Sequence, residues 1–72
     1  MVFIRVASGE RRVVSFSEQE GLFTGNLEAC VAIAGSYEGK GALVHATQRD
    51  NLGEHTSWFK EQIPTEGRVY LV

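Results

Sequence analysis

Residues 27–47 read LEACVAIAGSYEGKGALVHAT, and this stretch decides the fold class. Two runs dense in small and β-branched residues, 27–34 and 42–47, flank a segment with three glycines, 35–41. Because glycine tolerates backbone conformations that other residues avoid, the segment predicts a loop joining two strands. Both runs are apolar on both faces, which is typical of central strands that are covered on each side.

Shorter apolar segments predict the remaining strands. Residues 2–6 and 12–16 are rich in β-branched residues, and Ser8-Gly9 supplies a turn between them. They therefore predict a first antiparallel hairpin. Further extended segments are predicted at 22–24, after a polar loop at 17–21 and before a Gly25-Asn26 turn, and at 68–72.

One helix is predicted over residues 51–63. Asn51 can cap its N-terminus, and Glu54, three residues on, completes a capping-box pattern. Pro64 and Gly67 end the helix. The apolar stripe, interrupted by one threonine, consists of Leu52, Thr56, Phe59 and Ile63. The sequence thus predicts an α+β fold, a small and mostly antiparallel β-sheet or sandwich with one packed α-helix.

The length of 72 residues predicts a single domain over 1–72. A chain of this size buries only ~60% of the surface that its unfolded form exposes, so it often needs a disulfide, a metal or a partner subunit. Cys30 is the only cysteine, which excludes an internal disulfide. Together with His45 and His55 it gives too few ligands, wrongly spaced, for structural zinc. We therefore expect a homo-oligomer without a metal site.

Charge and hydropathy narrow the class of partner. The net charge is −2 and the charges are interspersed, which argues against nucleic acid or a membrane as the main partner. The basic pair Arg11-Arg12 is predicted to lie on a solvated strand face. No run resembles a signal peptide or approaches the ~20 apolar residues that span a bilayer. A single cysteine fits a reducing compartment, so a cytoplasmic location is expected.

Cys30 and His45 are the residues with the most distinctive chemistry. If their strands pair antiparallel, the two side chains lie opposite or diagonal, with Cβ atoms ~5 Å apart when directly opposite. A neighbouring imidazole stabilises a thiolate, the form that attacks a carbonyl, and can then protonate a leaving amine. Spacing alone favours a simpler interpretation, because a lone cysteine in an apolar strand is usually an inert core thiol.

A third group usually holds a catalytic imidazole by accepting a hydrogen bond from its second nitrogen. Thr24, just before the turn into the cysteine strand, is the candidate, through its hydroxyl or its backbone carbonyl. Thr47 and Gln48 are the alternatives. Backbone N–H groups around Ala29 and Cys30 could supply the donors of an oxyanion hole.

The segment TGNLEACVAI at 24–33, followed by GALVH at 41–45, resembles the active-site stretch of the CheD-like glutamine deamidase superfamily. This superfamily includes the catalytic domains of the cytotoxic necrotizing factor toxins. In it, a threonine precedes a Leu-x-x-Cys element that opens an apolar strand, and a histidine follows after a glycine-containing loop. The matched positions lie between residues 24 and 45.

The resemblance implies a compact β-sandwich with a flanking helix, and hydrolysis of a glutamine side-chain amide through a thioester, without metal or organic cofactor. Cys30 would be the nucleophile, His45 the general base and acid, and Thr24 the orienting third member. The substrate would be a protein or a small amide. The family commonly has Gly-Ser or Ser-Gly before the cysteine, whereas this chain has Glu28-Ala29, which places a carboxylate beside the thiol.

The alternative function is a non-catalytic interaction module or oligomer subunit, which binds by strand addition at a sheet edge. His55 lies in the first helical turn, where a cation is unfavourable, so it is predicted to be a surface or interface residue. Trp58 lies off the apolar stripe and is predicted to pack on the sheet edge or in an interface. Tyr37 is predicted to lie on the surface of the loop.

Overall fold

The computed structural model describes residues 2–25 and 30–71 of the chain. The described part confirms the predicted α+β class, a mostly antiparallel sheet with one packed α-helix. The strands are β1 (Val2–Arg5), β2 (Arg11–Ser15), β3 (Glu20–Phe23), β4 (Val31–Tyr37), β5 (Lys40–Ala46) and β6 (Arg68–Leu71). A short 3-10 helix spans Phe16–Glu18, and the α-helix α1 spans Leu52–Gln62. No helix in these ranges is long and apolar enough to cross a membrane.

The main sheet has four antiparallel strands in the order β2-β5-β4-β6. Its centre is the β4–β5 hairpin, in which Tyr37 pairs with Lys40. Only Glu38 and Gly39 lie outside the ladder, with φ of 46° and 80°. Two successive positive φ angles are the signature of a type I′ turn, whose twist matches that of the strands. The predicted loop over residues 35–41 is therefore wrong, because most of it is strand.

Gly35 belongs to β4 and lies beneath α1. A Cβ atom at this position would lie 2.6 Å from Cζ of Phe59 and 2.7 Å from the carbonyl oxygen of Arg68. The absence of a side chain therefore lets the helix pack closely on the sheet. This close packing, rather than a loop, explains the glycine.

The predicted first hairpin is also wrong. β1 pairs in parallel with β3, with Ile4 opposite Leu22, and the two strands form a separate sheet. β2 instead pairs with β5. This partner lets Val14 reach the core, where it is 6% exposed. The polar loop predicted at 17–21 is partly strand as well, since β3 begins at Glu20.

The main sheet is covered on both faces, as its apolar strands predicted. β5 is buried along residues 41–46. Its two faces pack against different layers. Toward α1 the core consists of Ala42, Val44, Ala46, Phe59 and Ile63, with Trp58 packed against it. Toward the β1–β3 sheet the core consists of Val6, Ala32 and Leu43, with Leu22 and Ala34 packed against it.

The helix begins as predicted, because the Asn51 side chain accepts a hydrogen bond of 3.1 Å from Glu54 N. In the first turn of the helix, the residue that is buried is not the one that the predicted apolar stripe contains. Leu52 is 52% exposed, whereas His55 is only 8% exposed. Of the two settings predicted for His55, surface or interface, the surface is wrong, since polar contacts from Asp50 and from Arg11 of β2 hold its ring in a buried position. Phe59 continues the same inward face.

Candidate functional site

The β4–β5 register relates the candidate nucleophile to the candidate base. Ala32 lies directly opposite His45, so both side chains occupy one face of the sheet, toward β1 and β3. Cys30 immediately precedes β4 and is partly buried. The ladder ends at Val31, opposite Ala46, so Cys30 itself is unpaired; strand alternation carried one residue further would put Cys30 on the same face, diagonal to His45. Diagonal neighbours lie ~7–8 Å apart, a distance that long side chains bridge. The short thiol side chain of Cys30 makes no hydrogen bond to Nε2 of His45.

His45 is the most deeply buried polar residue of the described chain, with 1% of its surface exposed. Its Nδ1 lies 2.8 Å from Oγ1 of Thr24, and the same Oγ1 lies 2.7 Å from the carbonyl oxygen of Val6. A hydroxyl has one proton, and the carbonyl can only accept it. Oγ1 therefore donates to Val6 and accepts from Nδ1–H of His45. This assigns the imidazole tautomer in which Nε2 carries the lone pair.

Nε2 of His45 is buried and has no hydrogen-bond partner among the described residues, Cys30 included. An unpartnered buried acceptor costs about 1–3 kcal/mol, and such exceptions in native proteins call for an explanation. A role as a proton acceptor is one that requires a free lone pair. Catalytic hydrogen bonds are also commonly long before substrate binds.

A β-bulge holds the backbone of His45. Gly9 N–H donates to His45 O at 2.7 Å, and His45 N–H donates to Glu10 O at 3.0 Å. Gly9 and Glu10 together therefore lie opposite the single residue His45. Gly9 has φ of 81°, as the first residue of a G1 bulge requires. The sequence signal for this feature was the Ser8-Gly9 pair, which predicted a turn but not the bulge.

The small β1–β3 sheet supplies the groups that orient the ring. Val6 N–H donates to Phe23 O at 2.9 Å, which ties the end of β1 to the end of β3 next to Thr24. Val6 is 1% exposed and Leu43 is 7% exposed, so apolar side chains surround the ring. Hydrogen bonds in such a dry environment are stronger than in water.

Of the three residues considered for the third position, only Thr24 contacts the ring. Thr47 N–H donates to Asp50 Oδ2 at 2.7 Å, and its hydroxyl accepts from Arg49 N–H at 3.3 Å. Gln48 is exposed. The expected oxyanion donor at Ala29 lies outside the described residues, as do Asn26 of the predicted turn and Glu28.

A cavity of about 250 Å³ opens where β4 begins. Val31, the chain neighbour of Cys30, and its ladder partner Ala46 both line it, although Cys30 and His45 do not. Thr47, Gln48, Asp50 and Leu52 complete the lining. Because Ala46 belongs to the core toward α1, the cavity opens on the face of the sheet opposite to His45.

The second histidine belongs to a separate polar cluster on the α1 face. His55 Nε2 lies 3.4 Å from Asp50 Oδ2, and its Nδ1 lies 3.4 Å from Nη1 of Arg11. The Arg11 guanidinium also lies 5.2 Å from the ring centre of Trp58. The backbone N–H of Thr47 lowers the pKa of Asp50, and contact with His55 adds to this effect. The cluster joins the edge of the sheet to α1.

The candidate site therefore combines a half-buried cysteine next to β4 with a buried imidazole whose Nε2 has no partner among the described residues. Such a nitrogen can accept a proton from a thiol and return it to a leaving group. Comparisons with protein-family models, with curated proteins and with solved structures found no match to this chain.

Proposed function

We propose that this protein is a cysteine-dependent amidohydrolase that deamidates glutamine side chains, as the resemblance to CheD-like deamidases implies. The observation that carries the proposal is the unpartnered Nε2 of His45. The contact with Thr24 leaves this nitrogen with its lone pair, in a buried setting. A purely structural histidine would normally have both ring nitrogens satisfied.

In the first half-reaction, His45 Nε2 accepts the proton of the Cys30 thiol. The thiolate attacks the carbonyl carbon of the glutamine side chain, and a C–S bond forms. The C–N bond then breaks as Nε2–H gives its proton to the leaving nitrogen, which departs as ammonia. A thioester between Cys30 and the substrate remains.

In the second half-reaction, His45 Nε2 takes a proton from water, and the resulting hydroxide attacks the thioester carbon. The C–S bond breaks, the thiol recovers its proton, and the product side chain is a glutamate. Thr24 acts as a positioning residue, because its oxygen keeps the Nδ1 proton in place and stabilises the imidazolium. No metal or organic cofactor enters this scheme.

The proposal also covers the class of substrate and the cellular location. A glutamine on a protein and a small-molecule amide are both chemically suitable substrates, because the reaction needs only an accessible primary amide. We also propose a cytoplasmic location, because a single catalytic thiol is maintained best in a reducing compartment.

Ammonia release tests the proposal. The purified protein is incubated with free glutamine, with glutamine-containing peptides and with unfolded casein, and ammonia is measured by a coupled assay. Cys30→Ala and His45→Gln are each expected to lower the rate at least about 100-fold. Thr47→Val, which alters a hydroxyl away from the ring, is the matched control and should retain activity. Ammonia release that survives Cys30→Ala would refute the mechanism.

Alkylation tests the Cys–His pair without a substrate. Iodoacetamide should modify Cys30 in the native wild-type protein, and more slowly in His45→Gln, because the imidazole no longer assists ionisation. Circular dichroism checks that the variant remains folded. A thiol that reacts only after unfolding, in wild type and variant alike, would contradict the proposed role.

The second candidate is a non-catalytic interaction module or homo-oligomer subunit. It is favoured by β6, an edge strand on which Val69 and Tyr70 are 54% and 57% exposed. Light scattering after size-exclusion chromatography measures the mass in solution. Under this alternative the protein self-associates or binds partners, and Cys30→Ala changes neither property.

A further inference from the structure

The opposite edge of the main sheet, β2, offers free backbone groups. Phe16 N–H donates to Gly39 O, and His45 N–H donates to Glu10 O. Hydrogen-bonded pairs alternate in an antiparallel ladder, so the even-numbered residues of β2 face β5. Arg11 and Val13 therefore direct their N–H and C=O groups away from the sheet. Neither residue has a backbone hydrogen bond on that side within the described chain.

The side chains along this edge are charged at one end and apolar beyond it. Arg11, Arg12 and Val13 are all exposed. Arg11 lies on the α1 face, where its guanidinium rests against Trp58 and His55 instead of extending over the edge. Arg12 lies on the other face, since successive strand residues point in opposite directions. The β2 edge thus has one arginine on each face of the sheet, with the outward backbone N–H and C=O groups of Arg11 and Val13 between the two faces.

A cavity of about 420 Å³ continues along the strand from this point. Val13, Val14 and Ser15 of β2 form one wall of it. Glu18, Glu20, Lys40 and Gln62 complete the lining. The charges there have mixed sign, so the excess positive charge is confined to the arginine end.

We propose that the β2 edge binds an extended segment of a partner protein by strand addition, and that this segment carries two consecutive acidic residues next to an apolar one. An added strand places neighbouring residues on opposite faces. One carboxylate would then face Arg11 and the next would face Arg12, while the apolar side chain packs on Val13. The inference is independent of the proposed deamidase activity.

A second copy of the chain is a poorer occupant. Antiparallel pairing of β2 with its own counterpart about Arg11 places Glu10 opposite Arg12 but sets the two Arg11 residues against each other, because residues 10–15 read ERRVVS. Charged side chains on an edge strand also discourage pairing between identical edges. Charge complementarity therefore selects an acidic partner.

Synthetic peptides test the proposal. The added strand can run parallel or antiparallel to β2, so the probe peptide has a sequence that is symmetric about its acidic pair. It is fluorescein-labelled Thr-Val-Glu-Glu-Val-Thr. Thr-Val-Lys-Lys-Val-Thr and Thr-Val-Ser-Ser-Val-Thr serve as comparisons. Fluorescence anisotropy with the wild-type protein should show binding of the acidic peptide that weakens as salt increases. Arg12→Glu should weaken it about three- to tenfold, whereas the matched control Arg49→Glu, an exposed arginine in the β5–α1 connection, should not.

Val13→Pro tests strand addition itself. Proline removes only the outward N–H of this residue and is tolerated on edge strands. Circular dichroism should show a folded protein with at least about fivefold weaker peptide binding. Val13→Thr, which retains the N–H, is the control and should bind as wild type. Three results would overturn the proposal: equal binding of the acidic and basic peptides, no effect of Val13→Pro, or a concentration-dependent dimer that Val13→Pro abolishes.

Discussion

Oγ1 of Thr24 lies 2.8 Å from Nδ1 of His45, and its own proton goes to the carbonyl oxygen of Val6. One hydroxyl therefore determines which ring nitrogen carries the proton. The contact joins two sheets that share no ladder, since Thr24 follows β3 and His45 lies in β5. It links the small sheet to the chemistry proposed for the large one.

Thr24→Val should remove both hydrogen bonds and leave Val6 O and the Nδ1–H unsatisfied. We expect a loss of about 1–3 kcal/mol in the free energy of unfolding, measured in urea. Nitrogen-15 NMR of the imidazole should also show a mixture of tautomers. Thr24→Ser retains the hydroxyl and should keep the wild-type tautomer. A single unchanged tautomer in Thr24→Val would show that the hydroxyl does not control the ring.

Gly9→Ala should destabilise the bulge that faces His45. The φ of 81° is unfavourable for alanine, although the nearest atoms, the carboxylate oxygens of Asp50, would lie an acceptable 3.7 Å from the new Cβ. The expected cost is thus conformational, about 1 kcal/mol or more in the free energy of unfolding. Gly25→Ala is the control, because none of the described residues lies within 4 Å of its Cβ position and its φ is not positive. Equal stability of the two variants would contradict this account.

Gly35→Ala should be more disruptive than Gly9→Ala, because the new methyl group collides with the helix and with backbone. Overpacking of this kind typically costs about 1–3 kcal/mol. Shortening the facing side chain in the double variant Gly35→Ala/Phe59→Leu should recover part of the loss, since the ring tip at 2.6 Å is removed. The contact with Arg68 O remains, so recovery should be incomplete. Additive effects of the two substitutions would mean that the residues do not interact.

Asp50 should make the stability depend on acid pH. Its pKa is lower in the folded protein than in the unfolded chain, chiefly because it accepts from Thr47 N–H. The stabilisation is therefore complete above the unfolded-chain pKa of ~3.9 and is lost as the pH falls through the folded-state pKa.

Urea unfolding of wild type and Asp50→Asn at pH 7 and at pH 3 measures this effect. The wild type should be the more stable protein at pH 7, and the difference should shrink at pH 3. Glu61→Gln, which alters an exposed carboxyl of α1, is the control and should leave the pH dependence unchanged. A stability difference for Asp50→Asn that is the same at both pH values would exclude the carboxylate as its source.

Local sequence signals were sufficient for the fold class, and the residues proposed for the candidate site were chosen from the sequence. The apolar runs around the glycines predicted the two central strands, and Asn51 with Glu54 predicted the start of the helix. The order of Thr24, Cys30 and His45 in the sequence matched the resembled family. The structure brings Thr24 and His45 into contact. The strand and helix signals depend on residues close together in the chain, so strand alternation and helix capping were enough to detect them, whereas Thr24, Cys30 and His45 were selected through the resemblance.

Only the tertiary structure decided the strand partners and the environment of the polar groups. The parallel β1–β3 pair and the burial of His55 have no local signature, and Ser8-Gly9 predicted a turn without revealing the bulge at Gly9. A strand can pair along either edge with many partners. The arrangement that forms is the one that buries the most apolar surface while giving backbone N–H and C=O groups hydrogen-bond partners. The free nitrogen of His45 arises in the same way, because it depends on a hydroxyl and a carbonyl from a different sheet.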